Sequence, residues 1–337
     1  MKALLSLAPG GPESLVLSDV PDPVPSSGPG PGQVLIATRA ASINFPETLI
    51  IRDLYQFKPA RPFAPGGEVS GVVEAVGAGV TRVKPGDRVA ALTLYGGLAE
   101  KVLAPAGKCF IIPDEMAFDD ASALLLTYGT TIHALRDRAR IKPGDTLLVL
   151  GAAGGTGISA IELGKAFGAR VVAAVSSEEK AALVREVGAD EVVIYPHAPL
   201  EKDQSRALAD AFKKACGGDG ANIVYDAVGG DYSEPALRAT AWEGRFLVVG
   251  FPAGIARLPL NLPLLKSCDI CGVFWGGFME RDPTRFEAQV AELFALFKAG
   301  KISPRIGTIL PLERGGDAIA LLADRKAMGK VVVRIGD

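Results

Sequence analysis

The sequence is poor in residues that bind metals or cross-link chains. Its 337 residues include four cysteines and two histidines. Four cysteines in so long a chain do not make a disulfide framework, so we expect a reducing, cytoplasmic environment. A zinc centre with three protein ligands would have to combine His133 and His197 with scattered cysteines. Cys268 and Cys271 are interpreted as ordinary buried cysteines, and we expect no metal.

Long apolar runs and an excess of charge are also missing. No uninterrupted apolar stretch reaches the length of a membrane-spanning helix, and Ala3 to Ala8 is too short for the core of a signal peptide. The 36 basic and 38 acidic residues give a formal charge of -2. This balance gives no electrostatic reason to expect nucleic acid as the main partner, and we expect no membrane insertion.

Turn-forming residues are abundant, with 40 glycines and 24 prolines. Two domains are expected because single cores stop growing at roughly 250–300 residues. Up to about residue 124 the chain shows short β-type runs separated by turns. These runs are 34–37, 71–76, 88–91 and 101–104. We predict a mainly β domain here, with the proline- and glycine-rich segment 21–32 as a loop inside it.

From about Thr146 apolar runs alternate with stretches of helical periodicity. The predicted buried strands are 147–150, 171–175, 191–194, 222–225, 245–249 and 270–275. Strands separated by helices form a parallel sheet, so the pattern predicts an α/β doubly wound domain. The tail after about residue 276 is predicted to return to the first domain.

A glycine loop, Gly151–Gly157, follows the first of these strands and precedes a helix. This is the context that a dinucleotide fingerprint requires. Alanine replaces its first glycine, whereas Gly154 and Gly157 keep the roles of close pyrophosphate approach and helix packing. The amides of Gly154, Gly155, Thr156 and Gly157 are therefore expected to bind phosphate. A glycine-rich turn without a ligand is the alternative.

The end of the second strand favours NADPH over NADH. An NAD-preferring site places Asp or Glu there, but the strand ends in Val175, Ser176 and Ser177. Lys180, one turn into the next helix, would add positive charge for a 2′-phosphate. Glu178 and Glu179 argue against NADPH, but both are explained without a ribose contact if Ser176 caps the helix and Glu179 completes a capping box.

With these features, almost the whole chain resembles the zinc-free quinone oxidoreductases, the ζ-crystallin-like group of the medium-chain dehydrogenase/reductase superfamily. The matching segments are Ala41–Phe45, Pro65–Gly71, Val83–Val89, the glycine loop and Gly329–Val333. Zinc-dependent relatives carry His and Cys where this chain has Gly67 and Asn44. The resemblance therefore implies that catalytic zinc is absent.

The resemblance also implies a fold and a set of site residues. It predicts a GroES-like catalytic domain over residues 1–124, completed by 276–337, a Rossmann NADP(H)-binding domain over 125–275, and a cleft between them. Asn44 and Thr130 would line that cleft. The cofactor residues carried over by position are Ser176, Ser177, Lys180, Tyr195, Gly250, Phe251, Phe274, Trp275, Gly276 and Arg325. Core packing of the three aromatic residues Phe251, Phe274 and Trp275, and a solvated salt bridge for Arg325, remain open alternatives.

Three functions are compatible with these features. The first is an NADPH-dependent reductase of quinones or related α,β-unsaturated carbonyls. The second is an enoyl-thioester reductase, since similar enzymes carry a catalytic tyrosine at the spacing of Tyr55, where quinone reductases have a pocket tyrosine. The third is a catalytically idle NADPH-binding protein with a crystallin-like or regulatory role. Tyr55 is the candidate general acid, with anchoring of a surface loop as its alternative.

Relatives also imply a homodimer in which Rossmann sheets join edge to edge. The apolar stretch Ile270 to Trp275 is the candidate edge strand for this contact. Covering of that strand by its own chain is the alternative.

Overall fold

The computed structural model describes residues 1–24 and 27–336. The chain divides into two compact units, Met1–Leu126 with Pro304–Asp337, and Thr127–Ser303. Residues 276–303 thus group with the second unit, whereas the sequence assigned them to the first domain. They do so because their side chains pack there: Phe278 stacks on His133 with ring centroids 4.2 Å apart, and Gln289 donates to Asp137 at 2.8 Å.

The first unit is built on antiparallel strands. They are β1 (Lys2–Leu5), β2 (Val16–Asp19), β3 (Gln33–Ile43), β4 (Glu68–Val76), β5 (Arg88–Leu92), β6 (Lys101–Pro105) and β7 (Cys109–Ile111). The helices are α1 (Phe45–Ile50) and α2 (Phe118–Ser122). The long strand β3 pairs with both β4 and β6. The four predicted strands are confirmed, and the described residues of segment 21–32 form no helix or strand; residues 25 and 26 of that loop prediction lie outside the described residues.

Parallel strands form the sheet of the second unit. They are β8 (Thr146–Leu150), β9 (Arg170–Val175), β10 (Glu191–Ile194), β11 (Ala221–Asp226), β12 (Thr240–Val248) and β13 (Asp269–Gly272). Their order is β10-β9-β8-β11-β12-β13, and each adjacent pair is parallel. Numbered within the unit this is 3-2-1-4-5-6, the Rossmann order, so the predicted fold is confirmed.

Helices precede, connect and follow these strands. They are α3 (Leu125–Ile132), α4 (Gly155–Ala166), α5 (Glu178–Val187), α6 (Lys202–Ala215), α7 (Ser233–Arg238), α8 (Asn261–Lys266), α9 (Trp275–Arg281) and α10 (Pro283–Lys298). A π-helical segment, His133–Arg138, extends α3. The predicted strand 270–275 is too long, because Trp275 begins α9 and packs its ring against Gly129.

The C-terminal segment from Pro304 onward belongs to the first unit. It forms β14 (Ile306–Pro311), α11 (Gly315–Ala323) and β15 (Lys330–Arg334). Strand β15 pairs antiparallel with β3, with Val331 opposite Ile43. Val331 and Val333 join the main apolar core of the β unit, and Val332 packs with Ala40 and Ala123. Since successive side chains of a strand point to opposite faces, the unbroken run of valines shows that both faces are buried.

Candidate functional site

The glycine loop leads from β8 into α4, and its Gly154 amide already donates to the Gly151 oxygen at 3.1 Å. Gly151 has a φ of +67°, a conformation that glycine adopts without strain. Gly154 is the N-cap of α4, and no side chain in the described part of the chain caps this helix. The first amides of a helix have no intrahelical acceptor. Those of Gly155, Thr156 and Gly157 can therefore bind an anion, which the helix dipole also favours.

Gly154 and Gly157 of this loop are glycine for two different physical reasons. A Cβ atom at Gly157 would collide with the carbonyl oxygen of Gly151 and the backbone of Ala152. A Cβ atom at Gly154 would meet only the Gly151 oxygen, at an ordinary 3.5 Å. The fold thus requires glycine at 157 but leaves open space at 154, which is the space that a close-approaching pyrophosphate needs.

Ser176, Ser177 and Lys180 lie together beside the loop, at the end of β9. The Lys180 ammonium donates to Ser176 Oγ at 3.3 Å. The sequence prediction that Ser176 caps α5 is wrong: the cap is Ser177, whose Oγ accepts from the Lys180 amide at 3.3 Å. Ser177 is the last residue with extended backbone before the helix, so its side chain reaches the free amides. Ser176 is consequently not engaged in capping.

Tyr195 follows β10 and lies at the same edge of the sheet. Its amide donates to the Val175 oxygen at 2.9 Å, and its ring is buried against Tyr232 with centroids 4.6 Å apart. The Tyr232 hydroxyl in turn donates to the Pro196 oxygen at 3.0 Å. The structure therefore places Tyr195 in the core beneath this edge, and a contact with adenosine remains a prediction.

The residues after β12 and β13 differ in exposure. Phe251 is 45% exposed and Phe274 is 66% exposed, whereas Trp275 is buried at 6%. The Trp275 Nε1 atom has no hydrogen-bond partner among the described residues. Added Cβ atoms at Gly250 and Gly276 would make only ordinary contacts of 3.6 Å and 3.7 Å. Glycine at these two positions is thus not required by packing.

One edge of the sheet collects all these residues. Parallel strands have their carboxyl ends at one edge, and ligands of such sheets bind there, at the point where strand order reverses. The glycine loop follows β8, which neighbours β11 at that point. The buried Asp226 at the end of β11 accepts from the amides of Val228 and Gly229, both at 2.9 Å, and so fixes the next loop.

Thr130 is half-buried on α3, next to a hydroxyl network that the sequence did not reveal. Thr131 Oγ1 lies 2.7 Å from Ser159 Oγ and 2.9 Å from the Tyr225 hydroxyl. Ser159 Oγ also donates to the Thr156 oxygen at 2.9 Å. These bonds tie α3 and β11 to the first turn of α4 and therefore hold the phosphate-binding end of that helix in place.

In the first unit, Asn44 belongs to a buried charge network. Its Nδ2 donates to Glu68 Oε2 at 3.1 Å, and its Oδ1 accepts from Lys330 Nζ at 2.6 Å. Lys330 also lies 3.3 Å from Glu68 Oε2, while Glu68 Oε1 accepts from the Leu126 amide at 2.8 Å. Glu68 is fully buried. Sequence analysis did not identify Glu68 and Lys330 as members of this network. Both the nitrogen and the oxygen of the Asn44 amide are hydrogen-bonded within it.

Glu47 is a second buried carboxylate of this unit. Its oxygens accept from the amides of Asn44 at 2.8 Å and Gly67 at 2.9 Å. Burial raises the pKa of Glu47 to about 7, opposed by these bonds and by Lys330. Burial and the Glu47 charge raise the pKa of Tyr55. Tyr55 is half-buried in the loop after α1 and keeps its proton at neutral pH.

Arg325 lies in the turn after α11. It is exposed, has a φ of +58°, and its amide donates to the Leu322 oxygen at 3.1 Å. A contact between Arg325 and the cofactor remains a prediction.

The described residues contain no group of three or more His, Cys, Asp or Glu side chains placed to hold a metal ion. A ligand at position 67 would also need room: a Cβ atom there would lie 3.1 Å from the Leu94 oxygen and 3.3 Å from Glu47 Oε1. The residues present thus do not fit a zinc site at this position. Among helices of the described ranges, none has the length and apolarity to cross a membrane.

Two family models match the chain. The model described as "Alcohol dehydrogenase GroES-like domain" matches residues 30–114. The model described as "Zinc-binding dehydrogenase" matches residues 155–295. Their order agrees with a β unit followed by a nucleotide-binding unit.

Individual proteins are similar over nearly the full length. Quinone oxidoreductase-like protein 2 of Rattus norvegicus is 39% identical, over 91% of this chain and 86% of that protein. The quinone oxidoreductase of the same organism is 32% identical, over 99% of this chain and 97% of its own. A mycobacterial structure complexed with NADPH is 32% identical with a TM-score of 0.89, covering 99% of each chain. Escherichia coli quinone oxidoreductase complexed with NADPH is 27% identical with a TM-score of 0.86, over 99% of this chain and 100% of its own.

Proposed function

The chain belongs to the quinone oxidoreductase group of the medium-chain dehydrogenase/reductase superfamily, and from this we propose that it binds NADPH and reduces quinones or related α,β-unsaturated carbonyls without zinc. The single observation that carries the proposal is the uncapped N-terminus of α4 with open space at Gly154. The relatives complexed with NADPH support the choice of cofactor.

The residues of the second unit suit the parts of this cofactor. The amides of Gly155, Thr156 and Gly157 would hold the pyrophosphate. Ser176 and Lys180 would hold the 2′-phosphate, since β9 ends without the carboxylate that binds the ribose hydroxyls in NAD-preferring sites. Gly250, Phe251, Phe274, Trp275 and Gly276 would border the nicotinamide, and Tyr195 and Arg325 would contact the remainder.

The bound cofactor supplies the hydride, and the protein supplies position and a dry environment. A quinone accepts a hydride without a Lewis acid. Independence of zinc is supported by the residues at the two positions where relatives carry metal ligands: Gly67 has no side chain, and both ends of the Asn44 amide are hydrogen-bonded. Asn44 and Thr130 remain proposed lining residues.

Conjugated carbonyls need more help than quinones because negative charge develops on their oxygen. Tyr55, protonated at neutral pH, is the proposed donor to that oxygen. An enoyl-thioester reductase would use the same residue and would also need a basic surface for phosphates. In this loop Arg61 already pairs with Asp53 at 2.8 Å, and Arg52 donates to the Thr48 oxygen at 2.5 Å. Because these two arginines are already engaged within the protein, the contacts favour a reductase of quinones or enones over an enoyl-thioester reductase.

One experiment distinguishes the candidate functions. NADPH oxidation is followed by absorbance with 1,4-benzoquinone, a 2-alkenal and crotonyl-CoA in parallel, with NADH as the matched cofactor control. We expect oxidation with the quinone or the alkenal to exceed that with the thioester. Preference for crotonyl-CoA would favour the enoyl-thioester reductase. NADPH binding without oxidation of any acceptor would favour the catalytically idle protein.

We further propose a cytoplasmic homodimer that joins β13 edges. The four cysteines are all free thiols, as expected in a reducing compartment. Strand β13 is the last of its sheet, and Ile270 on it is 38% exposed. Leu264 and Leu265 in the preceding helix are 79% and 65% exposed. Light scattering of the purified protein tests the dimer: Ile270→Lys should convert it to a monomer, and a wild-type monomer would contradict it.

A further inference from the structure

The polypeptide passes between the two units twice. It leaves the first unit between Leu126 and Thr127 and returns to it between Ser303 and Pro304. Because all four cysteines are free thiols, these two crossings are the covalent connections between the units. The hydrogen bonds made beside the crossings therefore decide how firmly each unit holds the connecting chain.

In the second unit, the carboxylate of Glu162 on α4 serves both crossings. Glu162 Oε2 accepts from the Tyr128 hydroxyl at 2.5 Å and from the Ser303 amide at 3.1 Å. Tyr128 is the second residue after the first crossing, and Ser303 is the last residue before the second crossing. One oxygen atom thus holds the chain at both places. We call Tyr128, Glu162 and Ser303 the crossing clamp.

The Tyr128 hydroxyl is held firmly in this clamp. Tyr128 is 1% exposed, and a buried hydroxyl without an acceptor is costly. The 2.5 Å distance lies in the range of hydrogen bonds from a hydroxyl to a carboxylate. Ser303 has an exposed side chain and contributes its backbone amide, which any residue except proline would supply. Tyr128 and Glu162 are therefore the members of the clamp whose side chains matter.

The first unit holds the same two crossings through its buried ion pair. The Leu126 amide, directly before the first crossing, donates to Glu68 Oε1 at 2.8 Å. Lys330 Nζ lies 3.3 Å from Glu68 Oε2. The Lys330 amide donates at 2.7 Å to the oxygen of Arg305, the second residue after the second crossing. Each crossing is therefore hydrogen-bonded on both of its sides.

Glu162 also belongs to the helix that would hold the cofactor. Helix α4 begins at Gly155, whose amide is one of those proposed to bind the pyrophosphate, and Glu162 lies two turns further along. The hydroxyl network of Thr131 and Ser159 already fixes the first turn of this helix. Glu162 extends the fixation to the points at which the chain continues into the unit that carries Tyr55.

We propose that Glu162 is a positioning residue for the reductase reaction, which holds both crossings to α4 so that the unit carrying Tyr55 stays in register with the bound cofactor. The inference rests on the proposed function. Hydride transfer requires the reacting atoms about 3–3.5 Å apart, and a misplacement of about 1 Å can lower the rate about a hundredfold. No contact of Glu162 with cofactor or acceptor is part of this role. Its loss should therefore lower kcat and leave NADPH affinity nearly unchanged.

Steady-state kinetics with 1,4-benzoquinone test this role. Glu162→Leu removes both accepting oxygens with little change in size, so it should lower kcat about tenfold or more while the NADPH dissociation constant changes less than about twofold. Glu162→Gln keeps one accepting oxygen and should retain kcat within about threefold of wild type. Lys165→Met, the matched control, removes an ion pair with Asp190 from the same helix and should leave kcat unchanged. Wild-type kcat in Glu162→Leu, or an equal fall in Glu162→Gln, would overturn the proposal.

Tyr128→Phe separates the two bonds of the clamp, because it keeps the buried ring and removes the hydroxyl. It should lower kcat less than Glu162→Leu does. The double variant should be no slower than Glu162→Leu alone, since residues in contact are not additive, and additive losses would contradict the clamp. Circular dichroism verifies folding. If Glu162→Leu fails to fold, a wild-type kcat in Tyr128→Phe would overturn the proposal.

Hydrogen exchange provides a readout that needs no turnover. The bond to Glu162 should protect the Ser303 amide, and Glu162→Leu should accelerate its exchange about tenfold without changing the amides of β8. Unaltered exchange at Ser303 would overturn the clamp. Absence of NADPH oxidation by the wild type with every acceptor would instead contradict the proposed function, whatever the exchange at Ser303, so the two failures are distinguishable.

Discussion

The ammonium group of Lys180 donates a hydrogen bond to Ser176 Oγ at 3.3 Å and so joins the first turn of α5 to the end of β9. A cation stands here where NAD-preferring relatives of the Rossmann fold have a carboxylate for the ribose hydroxyls. A 2′-phosphate would meet a positive charge and two serine hydroxyls at this point. Cofactor preference should therefore depend on one lysine.

Lys180→Ala should weaken NADPH binding by about tenfold or more, since a charge-assisted bond to the 2′-phosphate is lost, and leave NADH binding nearly unchanged. Dissociation constants for both cofactors, from the quenching of protein fluorescence, provide the test. Lys165→Ala, which removes a surface ion pair with Asp190, is the matched control and should affect neither cofactor. Equal losses for NADPH and NADH would contradict the assignment.

The two glycines of the loop should respond differently to the same substitution. Gly154→Ala should leave the free energy of unfolding nearly unchanged, because its Cβ atom has room, but weaken NADPH binding more than tenfold by blocking the pyrophosphate. Gly157→Ala should lower the free energy of unfolding by about 1–3 kcal/mol through overpacking. Urea denaturation and cofactor titration of both variants test this. Unimpaired NADPH binding by a folded Gly154→Ala variant would refute the phosphate role of the loop.

Tyr55→Phe should slow the reduction of a 2-alkenal by about a hundredfold, the lower range for loss of a general acid, and leave the NADPH dissociation constant unchanged. Reduction of 1,4-benzoquinone should change little because it needs no proton donor at this position. Steady-state kcat values for the two acceptors provide the measurement. Equal kcat values for wild type and variant with the alkenal would remove the acid role.

Ionisation of Glu47 should lower the free energy of unfolding as the pH rises. Its folded pKa of about 7 lies above the ordinary value of 4.5, so between these values the folded state retains a proton that the unfolded state has lost. The contribution of Glu47 to the free energy of unfolding is complete below pH 4.5 and declines between pH 4.5 and pH 7. The total loss is about 3 kcal/mol, at 1.36 kcal/mol per pKa unit.

Glu47→Gln should be less stable than wild type at pH 5.5, because one of the two amides bound by Glu47 loses its acceptor. That deficit should shrink by pH 8, since glutamine does not ionise. Urea unfolding at both pH values measures it. A deficit that grows with pH would show that the carboxylate, and not the acid, is the stabilised form.

The parts of the structure that were predictable are local in sequence. Strand β8, the glycine loop and α4 are contiguous, so turn chemistry and apolar pattern identify them together. The cap at Ser177 was missed by one residue because either serine can cap a helix. The His133–Asp137 pair has the spacing of one helical turn and could have been recognised. Lys330 and Asn44 are 286 positions apart, and only the pairing of β15 with β3 brings them together.

The contact of Lys330 with Glu68 also bears on how the chain is made. Glu68 lies fully buried on β4. Its partner Lys330 emerges from the ribosome only after the entire second unit has been synthesised. An unpaired buried carboxylate is costly, so the β unit cannot reach its final state early. The Rossmann unit, continuous in sequence, can complete its fold first, and the nascent β strands must be kept from aggregating until the last strand arrives.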